Sequence, residues 1–179
     1  MELFLEEVKD FEALKEVLKK YPEVPTEYKV AVIVFAFDEE NRLILQRRGP
    51  ACRDERFKLE GIGGGVQETD YDFRSALQRE IVEEVGENAK IKVNEFITAI
   101  GEKTFDLREN KENYWILLAY KGTFEGGELQ ILEPTKNLGY EKYKIDEVNE
   151  EESSVATRKF YGIMKERFGE RKREDELEL

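Results

Sequence analysis

The chain contains no histidine and a single cysteine, Cys52, in 179 residues. The missing histidine excludes Ser-His-Asp and Cys-His nucleophilic schemes, histidine general bases and histidine-ligated zinc together. One cysteine closes no internal disulfide and builds no four-cysteine metal site. A lone thiol fits a reducing compartment, and Cys52 reads as an incidental loop residue. No apolar run reaches the ~20 residues that a membrane span requires. The start, Met1 to Glu7, lacks the basic region of a signal peptide. A cytoplasmic protein with no membrane partner is therefore expected. Positive charge is scarce as well: 29 Lys and Arg stand against 41 Asp and Glu, for a net charge of −12. Such a chain repels polyphosphates and nucleic-acid backbones, so nucleic acid is not an expected partner. Any phosphate binding needs a metal ion or a local arginine cluster.

What the chain does have is enough apolar sequence, 40%, to build one ordinary domain. Charged residues reach 39%, against roughly 25% in an average soluble domain. Residues 10–20 read as a helix with Asp10 as its cap and Phe11, Leu14, Val17 and Leu18 on one face. Residues 28–37 and 42–47 read as a hairpin whose first strand is apolar almost throughout and is buried on both faces. Residues 48–70 read as a long loop. A helix is expected over about 71–85, closed by Gly86. Strands are expected near 90–100, 113–121, 128–133 and 139–145, with a charged loop from Asp106 to Glu112. A last helix over 153–168 carries Val155, Phe160, Ile163, Met164 and Phe168 as its stripe. The organisation is an N-terminal helical extension (1–27), a mixed α/β domain (28–168) and a frayed charged tail (169–179).

The informative stretch runs from Gly61 to Glu87. Glu80, Glu83 and Glu84 fall at i, i+3 and i+4, so their carboxylates share one helix face. Phe73, Leu77, Ile81 and Val85 form a neighbouring stripe, which places the acids at the edge of the buried face. Clustered acids in the C-terminal half of a helix oppose both one another and the helix dipole, at ~0.3–1 kcal/mol each. A divalent cation relieves that cost, and magnesium takes such hard oxygens together with substrate phosphates. Gly61, Gly63, Gly64 and Gly65 precede the helix and allow main chain to approach a metal or a phosphate closely.

At these residues the chain resembles the Nudix hydrolases, whose signature is G-x5-E-x7-R-E-U-x-E-E-x-G-U, with U a bulky aliphatic residue. With the first glycine on Gly65, the stretch Arg79-Glu80-Ile81-Val82-Glu83-Glu84-Val85-Gly86 matches without a gap. The resemblance implies the family's α/β/α sandwich with a mixed sheet and a pyrophosphohydrolase that uses Mg2+ or Mn2+. Glu80, Glu83 and Glu84 would be the catalytic and metal-binding carboxylates, joined by the Gly64 carbonyl. Gly65, Arg79 and Gly86 would be the structural part of the motif. The implied substrate is a small molecule in which a nucleoside diphosphate is linked to another moiety X. Arg47, Arg53 and Arg56, beside the glycine loop, are expected to hold its phosphates. The general base is left open between these glutamates and Glu102, Glu109 and Glu112.

Two positions depart from the signature. Its first glutamate, which supports the loop through the arginine, falls on Tyr71, and Glu87 replaces the last aliphatic residue. A tyrosine hydroxyl at 71 offers Arg79 a substitute hydrogen bond. These departures keep open a second reading, a non-catalytic Nudix-fold nucleotide-binding or regulatory protein. A homodimer through the N-terminal helix is open as well.

Overall fold

The structure is a computed structural model that describes residues 1–169. The expected tail, beyond Gly169, and the side chain of Phe168 lie outside the described residues. In chain order the elements are β1 (Glu2–Phe4), α1 (Phe11–Leu18), β2 (Lys29–Phe37), β3 (Leu43–Arg48), β4 (Leu59–Glu60), β5 (Ile62–Gly65) and α2 (Phe73–Val85). They continue with β6 (Ile91–Asp106), β7 (Lys111–Phe124), β8 (Asn137–Tyr143) and, after a single 3-10 turn, α3 (Val155–Gly169). The strands form one mixed sheet in the order β1-β6-β7-β2-β3-β4, with β5 also paired to β2 and β8 to β3.

β2 is the centre of the molecule, and its eight residues Val30–Phe37 are buried. Val30, Val32, Val34 and Ala36 face a core shared with Leu14 of α1 and with Phe73, Leu77, Ile81 and Val85 of α2. Ala31, Ile33, Phe35 and Phe37 face the opposite core, shared with Phe160 and Met164 of α3. The period-two alternation of side chains thus feeds two cores from one strand, and helices cover both faces of the sheet. This is the expected α/β/α arrangement.

The pairing of β2 explains why the sheet is mixed. It runs parallel to β7 from Lys29↔Trp115 to Phe37↔Thr123. It meets β3 antiparallel only at Ala36↔Ile44 and Phe37↔Leu43, and then pairs with β5 from Ala31↔Gly65 to Val34↔Ile62. The expected β2–β3 hairpin is therefore short and splays open. β5 enters the gap, so a segment read as loop contains two short strands. β6 and β7 also extend past their expected ends and pair as far as Asp106↔Lys111, so the charged loop shrinks to a tight turn. Residues 128–133 form no strand; the second half of that expected pair is β8 alone. The N-terminal segment joins the same body. β1 pairs with β6, and Phe11 of α1 packs edge-on against Phe73 of α2 at 5.3 Å.

Candidate active site

α2 is fixed at both ends. Asp72 accepts from the Ser75 amide at 2.7 Å, and the Ser75 hydroxyl accepts from the Asp72 amide at 3.0 Å, a reciprocal cap. At the other end Gly86 takes φ 85°, and a side chain there would strike Gln130. Between these ends the helix presents its acidic residues in two different settings.

The first setting is a closed charge network around Arg79. Asp70 accepts from its Nε at 2.9 Å and from a terminal nitrogen at 2.8 Å, and the Gly65 carbonyl accepts at 3.0 Å. The same guanidinium reaches Glu80 at 2.6 Å and Glu83 at 3.2 Å. Asp70 is held below the usual carboxylate range by the Arg79 hydrogen bonds. Asp70 thus holds Arg79 one residue before the position where the ungapped frame places the signature's first glutamate. Tyr71 is 80% exposed and takes no part; its ring lies against Lys9 instead.

The second setting is a cleft of about 200 Å³ whose lining includes Gln46, Arg48, Arg53, Glu60, Gly63–Gly65, Glu84, Arg108 and Lys136. Glu84 forms no ion pair or side-chain hydrogen bond among the described residues. Burial, and then its neighbours Glu80, Glu133 and Glu60, push its carboxyl up to about 7. Burial also raises Glu80, against the pull of Arg79. Glu80 fits against the glycine loop so closely that a Cβ on Gly64 would lie 2.1 Å from its Oε2. Position 64 must therefore be glycine for this carboxylate to stand where it does.

The expected residues are partly brought together. Glu80, Glu84, Gly64, Gly65 and Arg53 lie at or beside the cleft. Glu83 faces outward, with its side chain 55% exposed. Arg47 points away, bonded to Glu141 at 2.5 Å and Glu152 at 2.9 Å. Arg56 is exposed and donates to the Cys52 carbonyl. Glu109 is paired with Lys111 in the turn after β6, Glu112 is exposed, and Glu102 is buried beside Lys159. Glu60, Arg108 and Lys136 were not apparent in the sequence. Glu60 arrives through the β3–β4 pair Gln46↔Glu60. It is ion-paired to Arg48, which also holds Asp54 at 2.6 Å.

The donors fit a hard divalent cation: carboxylate groups, one of them half-buried and without an ion pair, beside a glycine backbone. Among the described residues no three acidic or cysteine side chains form a ready-made cage. A cation here would complete its shell with substrate phosphates and water, as magnesium commonly does.

The NUDIX domain profile matches residues 27–161. The chain belongs to the Nudix family. Among solved structures, a MutT protein from Methanosarcina mazei is similar over 83% of this chain and 98% of its own, at 16% identity and a TM-score of 0.65. The Nudix domain of Shewanella oneidensis NrtR, in complex with ADP ribose, is similar over 86% of this chain and 97% of its own, at 16% identity and a TM-score of 0.61. A UDP-X diphosphatase is similar over 87% of this chain and 69% of its own, at 20% identity and a TM-score of 0.57. At these identities the likeness is one of fold. No curated protein matches the sequence. Family membership makes this Nudix protein a hydrolase of pyrophosphate bonds in general. No helix among its described residues is long and apolar enough to cross a membrane.

Proposed function

We propose that this Nudix protein hydrolyses, with Mg2+ or Mn2+, the pyrophosphate bond of a nucleoside diphosphate linked to another moiety. The observation that carries the reading is Glu84, a carboxylate without a cationic partner, facing a cleft beside Glu80 and Gly64. Burying an ionisable group among like charges is costly unless something positive joins it. Glu80, Glu84 and the Gly64 carbonyl would hold the ion, with Glu83 behind them. When bound, the ion neutralises charge on the diphosphate and lowers the pKa of a coordinated water.

The chain's own groups do the rest. Arg48, Arg53, Arg108 and Lys136 line the cleft, each paired with an acid, and would offer nitrogen donors to substrate phosphates. Arg79 fixes Glu80 and ties the glycine loop to the helix through the Gly65 carbonyl. Glu60 and Glu84 line the cleft among the described residues, which supports them as candidates for accepting the proton of the attacking water. The non-catalytic reading drew on the loss of the first signature glutamate. With Asp70 holding Arg79, that loss is made good. The likeness to a UDP-X diphosphatase and to a domain that binds ADP ribose supports a nucleoside-diphosphate substrate.

The test is a panel of nucleoside triphosphates, nucleotide sugars and dinucleotides, each with and without Mg2+. Metal-dependent release of a nucleoside monophosphate or of pyrophosphate supports the proposal. Silence over the whole panel, with the protein folded, returns the non-catalytic reading.

A further inference from the structure

Arg53 lines the cleft together with the glycine loop and Glu84, yet its guanidinium is engaged elsewhere. It lies 3.9 Å from the ring centroid of Trp115. That indole belongs to the core on the α3 side of the sheet, with Ile100, Leu117 and Phe160. One flat cation thus borders the cleft and also covers an aromatic residue that is only 5% exposed.

The main chain around Arg53 is tied down on three sides. The Leu107 amide donates to the Arg53 carbonyl, the Ala51 amide to the Thr135 carbonyl and the Phe57 amide to the Arg48 carbonyl, each at 2.9 Å. The loop is thereby held to the β6–β7 turn, to the chain entering β8 and to β3. The guanidinium is held far less. Among the described residues it makes one hydrogen bond, from Nε to Asp54 Oδ2 at 3.1 Å. Asp54 does not depend on that bond, because Arg48 holds its other carboxylate oxygen at 2.6 Å and its carbonyl at 3.1 Å. The terminal nitrogens of Arg53 are thus left for another acceptor. The ring beneath is under-satisfied as well, since the Trp115 indole N–H is buried without a partner, and folded proteins keep few such groups. A cation over a ring at a partly accessible site is a weak contact, whereas arginine with a phosphate forms strong, often bidentate hydrogen bonds. A diphosphate in the cleft therefore outcompetes the indole for the same guanidinium.

We infer that Arg53 is a positioning residue that works as a diphosphate-operated cover of Trp115. A diphosphate entering the cleft draws the guanidinium from the ring to its own oxygens. The loop backbone stays in place, and Asp54 stays with Arg48. The indole face and its unpaired N–H then open toward the cleft, so the remainder of the substrate meets them only after its diphosphate is seated. Arg53 in this way couples the phosphate contact to the shape of the site beside it. The inference rests on the proposed function for the identity of the anion, but it needs no turnover.

Trp115 is the only tryptophan in the chain, so acrylamide quenching of tryptophan emission measures how far this ring is covered. The wild-type protein is titrated with methylenediphosphonate, a non-hydrolysable diphosphate, in the presence of Mg2+, and binding is followed in parallel by calorimetry. The quenching constant is expected to rise roughly twofold or more at saturation, as the guanidinium leaves the ring. Arg53→Ala should show a raised constant without the diphosphonate, bind it about tenfold more weakly and give no further rise at saturation. Arg108→Ala, at a second arginine of the cleft, should weaken binding and keep the rise. The wild-type titration stands by itself if a variant fails to fold. Saturable binding with unchanged quenching, a full rise in Arg53→Ala, or no binding at all overturns the inference. Turnover in the nucleotide panel is scored separately. Turnover with unchanged quenching removes the cover alone, and a rise in quenching without turnover of any nucleotide leaves the cover standing and removes the proposed hydrolysis.

Discussion

Two groups of acids meet at α2, and they differ in how their charge is answered. On the Arg79 side, Asp70, Glu80 and Glu83 share one guanidinium, so each carboxylate has a cationic partner and the loop is locked to the helix. Toward the cleft, half-buried Glu84 has no ion-pair partner among the described residues and lies among Glu80, Glu133 and Glu60, with Lys136 a weaker counterweight. The first arrangement is what a fold does to hold itself together. The second is unfavourable for the fold alone and becomes useful when an external cation arrives.

Exchanging the members of this comparison should give effects of decreasing size. Glu84→Gln should reduce metal-dependent turnover at least ~100-fold, as for a lost metal ligand. Its melting temperature without metal should be unchanged or higher, because a half-buried carboxylate lying among like charges has been removed. Asp70→Ala should do the opposite and lower stability by about 1–3 kcal/mol in urea unfolding, since Arg79 loses its bidentate partner. Restoring a carboxylate there with Glu should recover most of that loss. If Asp70→Ala is neutral in stability while Glu84→Gln unfolds the protein, the assignment of roles is reversed.

A carboxylate far from the cleft provides a third comparison. Burial pushes Asp38 up, but hydrogen bonds from the Arg42 backbone and guanidinium and from Lys142 outweigh it and bring its carboxyl down to about 2. A depressed folded-state value stabilises the protein above the unfolded value near 4. That contribution should be lost as pH falls from about 4 through about 2. Asp38→Asn should flatten the acid limb of a melting-temperature profile over that window and leave turnover unaltered. The smallest effect is expected at Tyr71→Ala, at a residue 80% exposed: a change within about 0.5 kcal/mol and no loss of activity. A large loss of activity there would mean that Tyr71, and not Asp70, completes the motif.

The sequence made α2 legible because helix period, the closing Gly86 and acid spacing all agree within fifteen residues, and local signals of that kind need no tertiary knowledge; the Asp72–Ser75 cap that starts it at Phe73 was not read. β2 was legible for the same reason, since an unbroken apolar strand has only a two-sided burial open to it. β5 was not, because Ile62-Gly63-Gly64-Gly65 has poor intrinsic strand preference and becomes a strand only by filling the gap beside β2. The ends of β6 and β7 were hidden by alternating charge, which reads as loop until the partner strand is known. β1 is three residues long and offers no period to detect. In the site, the glutamates and glycines could be read from spacing. Glu60 and Lys136 could not, since long-range pairing through β3 and the chain leading into β8 brings them to the cleft. Asp70 was masked by a one-residue offset, which an ungapped motif frame does not allow.

The central claim is that Glu84 and its neighbours become a site when a divalent cation joins them. The most direct test is calorimetric titration of Mg2+, and separately Mn2+, into the wild-type protein and into Glu84→Gln, with a non-hydrolysable nucleoside diphosphate analogue present. The account predicts saturable uptake by the wild type and at least a tenfold weaker uptake by the variant. No uptake by the folded wild-type protein, or equal uptake by both, would contradict it.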